Sequence, residues 1–388
     1  MTLRLLAPTM RFSLTDEQET LRDEMRAFAR EEIGPVAADL DREETYPAEI
    51  LETLGDKRVA GLTLSERYGG KGGDLVDLVL VVEELAAEMM PVASALALHL
   101  GVATVVERFG TDDQREDYLP EMVCYDTVGA LGLSEEGAGS DKLAMETRAE
   151  KEGDEWVIDG HKRWVTNFEH ADVVLTYAKT GPEEEAPHNV SAFLVPADAF
   201  EVDHVWETLG ARSVKSPKVT LSGVRVPDDA LVGEVGEGYV QRGEVKTGVN
   251  VPARAVGIAR AALEDTVAYA SEREQWGAPI GRNQGIRWRV SEMATRVDAA
   301  RLLTLRAADR ADRGESRGRE LSMAKVHATE AAVENTNDAL QTHGGIGYTR
   351  SADVERYLRD ARLLTIAGGP NELHRDSVAE AVLPELYE

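Results

Sequence analysis

A single cysteine, Cys124, in 388 residues leaves no intrachain disulfide and no cysteine-rich metal centre, and it points to a reducing compartment. Positive charge is also short: 43 Lys and Arg stand against 71 Asp and Glu, a formal charge of −28. Such a field repels nucleic acid and anionic membrane, and no basic stripe offsets it locally. No stretch of membrane-spanning length is free of charge, and the apolar run in the N-terminal MTLRLLAPTM is too short for a signal peptide. The expected location is therefore cytoplasmic. Walker spacing, a zincin pair among the eight histidines, and a G-x-S-x-G elbow are all missing, which removes nucleotide hydrolysis, zinc proteolysis and the serine-hydrolase elbow.

What is present describes a soluble globular chain, 43% hydrophobic and 29% charged, long enough for two or three domains with large cores. Its acidity suits work in concentrated salt, where screening removes self-repulsion. Thr15-Asp16-Glu17-Gln18 reads as a capping box, opening a helix whose Leu21, Met25 and Phe28 share one face until Gly34-Pro35 ends it. Leu51 to Val59 predicts a short helix, and YGGKGGD at Tyr68–Asp74 a flexible connection. The apolar run from Leu75 to Leu100, broken by Glu83, Glu84 and Glu88, predicts a buried helix followed by a second. Helix continues from Val106 to Val123, punctuated by Gly110-Thr111-Asp112.

The period then changes. Glu155–Gly160, Asp172–Ala178, Val190–Val195 and Lys218–Val226 read as strands separated by Gly, Pro and acidic turns. Past Gly233, Gly236 and Gly238 the helical period returns, with Val256, Ala259, Leu263 and Val267 on one face, then Trp288–Ala308, Leu321–Thr342 and Ser377–Leu386. Long helices joined by short loops predict an antiparallel bundle. The expected division is a helical domain over 1–126, a β domain over 127–235 and a helical bundle over 236–388.

Two stretches carry the chemistry. In LGLSEEGAGSD, Leu131 to Asp141, a short apolar run delivers Ser134 and then a Gly137-Ala138-Gly139-Ser140 turn whose small side chains let backbone N–H groups approach a pyrophosphate. In RWVTN, Arg163 to Asn167, Trp164 and Thr166 alternate on an expected strand, so a ring and a hydroxyl face one side. Together they suit a flat heteroaromatic with hydrogen-bonding edges. Farther on, YASEREQWGAPIGRNQ supplies the forked guanidinium of Arg273, suited to phosphate, and the amide of Gln284. QTHGGIGY, Gln341 to Tyr348, places paired glycines after a helix, as a C-cap or as backbone lying against a ligand.

In this order, the motifs resemble the acyl-CoA dehydrogenase family of flavoproteins over nearly the whole chain. LSEEGAGSD is similar to the family's TEP-x-AGSD element, RWVTN to its W-[IV]-T-N element, and YASEREQWGAPIGRNQ to its YA-x-x-R-x-x-F-G-x-P-I-x-x-x-Q element. The resemblance implies an α+β fold: an N-terminal all-α domain, a middle β-barrel-like domain and a C-terminal four-helix bundle. It implies FAD, with Leu131, Leu133 and Ser134 along the flavin pyrimidine, Ser140 at phosphate, Trp164 over the isoalloxazine and Thr166 near N5. Arg273, Trp276, Gln284, Gln341, Gly344 and Gly345 would contact the FAD of a neighbouring subunit, and Asn371 and Glu372 would also touch cofactor. It further implies an acyl-CoA substrate against Ser140, Gly368 and Gly369, an electron-transfer flavoprotein or similar acceptor, and a homodimer or homotetramer.

The chain departs from the family at its base. The family reaction takes an α-proton and a β-hydride from a thioester, so donors must hold the enolate oxygen while a carboxylate takes the proton. The family's usual carboxylate position, in a Y-E-G-T-x-x-I run, falls here in Ile366–Leu373 and holds Gly368. The alternative position, counted back from Arg273, holds Thr247, followed by Gly248 where the family often carries arginine. Pro252 is expected to interrupt the helix there. Glu244, one helical turn before Thr247, is the candidate replacement base, while the Gly368 N–H remains available to a thioester oxygen. Three readings follow: an acyl-CoA dehydrogenase with a relocated base, a relative with different flavin chemistry such as enoyl-CoA reduction, and a flavin-binding subunit whose active carboxylate lies on a paralogue. Ala97 and its apolar neighbours predict no polar barrier to an aliphatic acyl chain.

Overall fold

The computed structural model describes residues 13–245, 247–315 and 318–386. The MTLRLLAPTM run, read above for targeting, lies outside the described residues. Helix α1, Asp16–Phe28, starts on the Thr15 capping box as expected. Gly34-Pro35 does not end the helical path: a π-helical turn, Ala29–Ile33, leads into α2, Gly34–Glu43. Proline is tolerated there because first-turn N–H groups have no intrahelical partner in any case. Helix α3, Ala48–Asp56, follows.

The glycine-rich Tyr68–Asp74 is a tied loop rather than a flexible one. The amides of Gly70, Lys71, Gly72 and Gly73 bond the carbonyls of Ser65, Gly61, Leu64 and Leu62 at 2.8 to 3.1 Å. A Cβ on Gly70 would stand 2.3 Å from the Leu64 carbonyl oxygen, so that approach needs glycine.

Helix α4, Leu75–Phe109, is two helices joined at Met89 (φ −152°), just before Pro91, as the apolar run with its acidic interruptions predicted. It is long and apolar enough to cross a membrane, yet 83% of its most apolar window is buried within the protein. Helix α5, Asp112–Cys124, begins on a capping box at Thr111.

Strands β1 (Gly129–Gly132), β2 (Arg148–Glu152), β3 (Glu155–Lys162), β4 (Val173–Lys179), β5 (Val190–Pro196), β6 (Glu201–His204), β7 (Lys218–Pro227) and β8 (Leu231–Val232) form one eight-stranded sheet. Its order is β6-β7-β3-β2-β4-β5-β8, with β1 parallel to β4. The four strands read from sequence are β3, β4, β5 and β7. The others escaped because β1, β6 and β8 are short and β2, RAEKE, is polar at most positions.

Then come α6 (Gly238–Glu244), α7 (Asn250–Glu272), the β9–β10 hairpin (Glu274–Gln275 and Ala278–Pro279), α8 (Gln284–Asp312), α9 (Arg319–His343), α10 (Val354–Leu364) and α11 (Asn371–Val382). Helices α7 to α10 pack on one another as the bundle, and α11 lies on α9. Pro252 sits in the first turn of α7, so the break falls before it, in the 3-10 turn Thr247–Val249. Helix α4 packs along α7, so N-terminal and C-terminal helices share cores in which Ala86, Leu96, Val249 and Ala253 are buried together. The face read on α7 turns outward before its end: Val256 and Ala259 are buried, but Val267 is exposed.

Candidate functional site

The LGLSEEGAGSD stretch begins in β1, where Leu131 pairs with Leu175 of β4. Leu131 is half-buried, and Leu133 is sunk in the core beneath the sheet. Ser134 bridges to Arg163, whose amide donates to the Ser134 carbonyl at 2.7 Å, so the two chemical stretches are joined backbone to backbone. The Ser134 hydroxyl takes a 2.7 Å bond from Lys142 Nζ.

Below them Glu135 and Lys162 form a fully buried ion pair at 2.5 Å, and Glu135 also accepts from the amides of Glu146 and Thr147. Burial pushes the Glu135 carboxyl up, but the Lys162 charge and these donors outweigh it and hold it below the usual range. Burial draws Lys162 down to about 8 against the pull of Glu135. The pair pins the loop to β3, and the sequence signal for it was slight: one glutamate beside a glycine turn. Beyond it, hypothetical Cβ atoms on Gly137 and Gly139 meet nothing within 4 Å. The Gly137–Ser140 turn therefore faces open space that a ligand can approach.

RWVTN is not a strand beyond Arg163, and Trp164 and Thr166 do not alternate on one. Trp164 takes φ +60° and Asn167 φ +71°, and the Thr166 amide folds back on the Trp164 carbonyl at 3.0 Å. The turn is held from below: Val165 is fully buried, and Asn167 Nδ2 donates to the Ala95 carbonyl of α4 at 2.9 Å. Asn167 also accepts from Tyr46, which bonds Tyr125. Trp164 is left 51% exposed, its ring 5.1 Å from that of Trp206. The Thr166 hydroxyl bonds Ser216 at 2.9 Å. An αL tryptophan on an over-determined turn is a strained, presented side chain, the arrangement that accumulates at ligand sites.

The second group of predicted residues gathers at one end of the bundle. Arg273 ends α7, and Gly344 (φ +64°) caps α9. Tyr269 and His343, just inside these ends, stack at 4.3 Å. Gln284 opens α8. Trp276, 92% exposed at φ +51°, and Gly277 at φ +79° make the two-residue turn of the β9–β10 hairpin, the geometry of a type I′ turn. Arg273, Gln341, Gly344 and Gly345 are all exposed. No hydrogen bond, ion pair or ring contact joins this group to Ser134, Trp164 or Thr166 among the described residues. Within one chain the two groups of residues are separate.

Around the base positions, Gly368 and Gly369 lie at φ +70° and +93°. His374 Nε2–H donates to the Gly368 carbonyl at 3.0 Å, and its Nδ1 meets Ser322. Lys325 Nζ donates to the carbonyls of Gly369 at 2.6 Å and Thr365 at 3.3 Å. Burial draws Lys325 down to about 8, opposed by Glu372 and Glu330. Neither clamp was read from sequence, where Lys325 is simply a lysine in a helix.

Asn371 corrects an expectation. It is 3% exposed, its Oδ1 accepts from Lys325 Nζ and its Nδ2 donates to Thr329 Oγ1, so it fastens the loop instead of offering its amide to a ligand. Glu372 is exposed, beside a cleft lined by Arg362, Ile366 and Pro370. Gly368 is close to α7: a Cβ there would stand 3.0 Å from Val251 Cγ2. Thr247 faces α4, 3.7 Å from where a Cβ of Gly101 would be.

Glu244 also fails its premise. It ends α6, Val245 is extended, and Thr247 starts a different turn, so the two share no helical face. Its carboxylate is exposed and paired with Arg108 at 3.2 Å, and its carbonyl accepts from the same guanidinium.

Family models for the acyl-CoA dehydrogenase N-terminal, middle and C-terminal domains match residues 15–125, 130–224 and 247–383. The chain is 36% identical to a probable acyl-CoA dehydrogenase, YngJ, of Bacillus subtilis (strain 168), covering 96% of this chain and 100% of that one. It is also 36% identical to the acryloyl-CoA reductase (NADH) of Anaerotignum propionicum, covering 96% of each. Among solved structures, butyryl-CoA dehydrogenase from Megasphaera elsdenii superposes with a TM-score of 0.92 at 30% identity, covering 96% of this chain and all of that one.

Proposed function

Because the chain belongs to the acyl-CoA dehydrogenase family, we propose that it is an FAD-dependent oxidoreductase that interconverts an acyl-CoA thioester and its α,β-enoyl form. The observation that carries this reading is the joining of Ser134 to Arg163, which sets the open Gly137–Ser140 turn beside the presented Trp164. The residues fit FAD: an exposed indole, a hydroxyl at Thr166, glycines opening on free space, and at the bundle end an exposed Arg273 with no ion pair among the described residues. When bound, FAD supplies the two-electron partner for the substrate β-carbon. Ser134, Ser140, Trp164 and Thr166 would hold it from one chain, and Arg273, Trp276, Gln284, Gln341, Gly344 and Gly345 from a neighbour. That division makes the active protein a homodimer or homotetramer. We also assign it domains over 1–126, 127–235 and 236–388, and an electron-transfer flavoprotein or similar acceptor.

The chain's own part in the reaction is to orient the thioester and to hold its carbonyl oxygen, for which the Gly368 N–H is the available donor. With glycine at one base position, threonine at the other and Glu244 paired on the surface, this chain places no carboxylate at the family's α-proton sites. That favours a second reading, reduction of an enoyl thioester, in which the hydride goes from reduced flavin to the β-carbon and the strongly basic α-carbon then takes its proton from solvent, so that no carboxyl group is needed at either position.

Anaerobic titration separates the two. Bleaching of the oxidised enzyme by saturated acyl-CoA supports dehydrogenation; reoxidation of the reduced enzyme by enoyl-CoA, without that bleaching, supports reduction. No response to either overturns both. Glu244→Gln is expected to leave the response within about twofold, as a surface change away from the site should, and Thr247→Glu to strengthen bleaching by supplying a carboxylate.

A further inference from the structure

Two buried cations among the described residues pair with no carboxylate: Lys325, whose bonds to Thr365, Gly369 and Asn371 fasten the Gly368 loop, and Arg254, which keeps an unfilled donor. Three arginines are buried among the described residues: Arg260 is paired with Glu83, Glu84 and Glu264, and Arg356 with Asp353. Arg254, in the first turns of α7 and 4% exposed, has no carboxylate partner among the described residues. Its Nη1 donates to Ser94 Oγ at 2.7 Å and its Nη2 to Asn250 Oδ1 at 2.9 Å, both neutral, and its Nε finds no acceptor. Burial draws this guanidinium down to about 10, and no anion draws it back. An interior cation is retained where an anion completes it, and the guanidinium fork is shaped for a carboxylate.

Its position says which anion. Val251 and Arg254, three residues apart, share one side of the first turns of α7, and Thr247 stands in the 3-10 turn just before them. Val251 touches the Gly368 position, and Thr247 faces Gly101 of α4. Ser94 precedes Gly101 on α4 by seven residues, two helical turns, so α4 and α7 run past each other with Gly101 against Thr247 and Ser94 against Arg254. The next residue, Ala95, holds Asn167 of the turn that presents Trp164. Arg254 thus lies at the inner end of a strip that starts where the thioester would be activated. From Val251 to Arg254 the helix rises about 4.5 Å, the span of a short acyl chain.

We propose that Arg254, with Ser94, receives the terminal carboxylate of a short ω-carboxyacyl-CoA, making the substrate a dicarboxylic thioester. This rests on the acyl-CoA reading above and replaces the sequence-based expectation, drawn from Ala97, of a wholly apolar tail site.

The test uses the FAD-loaded oligomer and two probes of equal length, glutaryl-CoA and valeryl-CoA, with affinity read from perturbation of the flavin spectrum, which needs no turnover. The wild type is expected to bind glutaryl-CoA about 10- to 100-fold tighter. Arg254→Met should reverse the order, Arg254→Lys should keep part of the preference, and Ser94→Ala should shrink it. If Arg254→Met does not fold, the other two variants carry the comparison. Equal affinity in the wild type, as an inorganic anion held permanently at Arg254 would give, overturns the proposal, and so does a ratio that none of the variants moves. If neither thioester perturbs the flavin, the acyl-CoA reading itself falls, an outcome distinct from loss of the preference alone.

Discussion

His99 shows how a single side chain couples the helical and β parts. Completely buried in α4, it accepts the Gly129 amide on Nδ1 at 3.1 Å and donates Nε2–H to the Met122 carbonyl at 2.8 Å. Both bonds require the neutral ring, and burial lowers its pKa from 6.5 to about 4. Because the unfolded chain binds the proton more tightly, this contribution is fully present above pH 6.5, declines below it and is lost as pH falls through about 4. The shift corresponds to about 3 kcal/mol. Urea midpoints at pH 7 and pH 4.5 should show that acid-side loss, and His99→Leu should remove the part of the slope that His99 supplies. Which amide and carbonyl satisfy this histidine is not legible in the sequence, since Gly129 lies thirty residues away.

At the scale of elements, α4 is the axis, and its acidic interruptions have a use that sequence does not reveal. Glu84, 2% exposed, binds Arg26 of α1 at 2.8 Å and Arg260 of α7 at 2.6 Å, and Glu83 binds Arg301 of α8 at 2.5 Å. Carboxylates that look like breaks in an apolar run are the joints between α4 and three other helices. Removing one member of a buried pair exposes the other to the full cost of desolvation. Glu84→Ala is expected to cost about 3 kcal/mol in a denaturant titration, the lower end for a buried pair, because Arg260 keeps Glu83 and Glu264. YGGKGGD was misread for a more local reason: its backbone amides are tied to carbonyls of Gly61, Leu62 and Leu64 in the segment before it, and glycine content alone does not distinguish a loose loop from a tightly tied one.

Across the whole molecule, the proposed division of one cofactor site between Trp164 and a neighbour's bundle-end residues would make assembly a condition of function. Trp276, Trp288 and Tyr348 stand 92%, 62% and 85% exposed, and large aromatic side chains left this bare suit contact with a second copy. Sedimentation should find a dimer or tetramer. Arg273→Ala should release FAD at least tenfold more readily while the oligomer persists, the loss expected for a charge-assisted phosphate contact of about 1.5 kcal/mol or more; unaltered FAD retention would dissolve the shared-site reading. The charge of −28 adds self-repulsion to that assembly, and we propose that molar salt, with its Debye length of about 3 Å, suits it.

The sequence by itself determined the order helix, sheet, helix, the capping box at Thr15, the division of the Leu75–Leu100 run into two helices and the absence of a carboxylate at Gly368 and Thr247, because each is set by residues adjacent in the chain. Only the tertiary structure decided that RWVTN is an αL turn, that Asn371 faces inward, that Glu244 belongs to Arg108, and that Arg254 has Ser94 but no carboxylate beside it. Those outcomes depend on which distant groups are brought within about 3 Å, the reach of a hydrogen bond, and local pattern carries no information about a partner a hundred residues away.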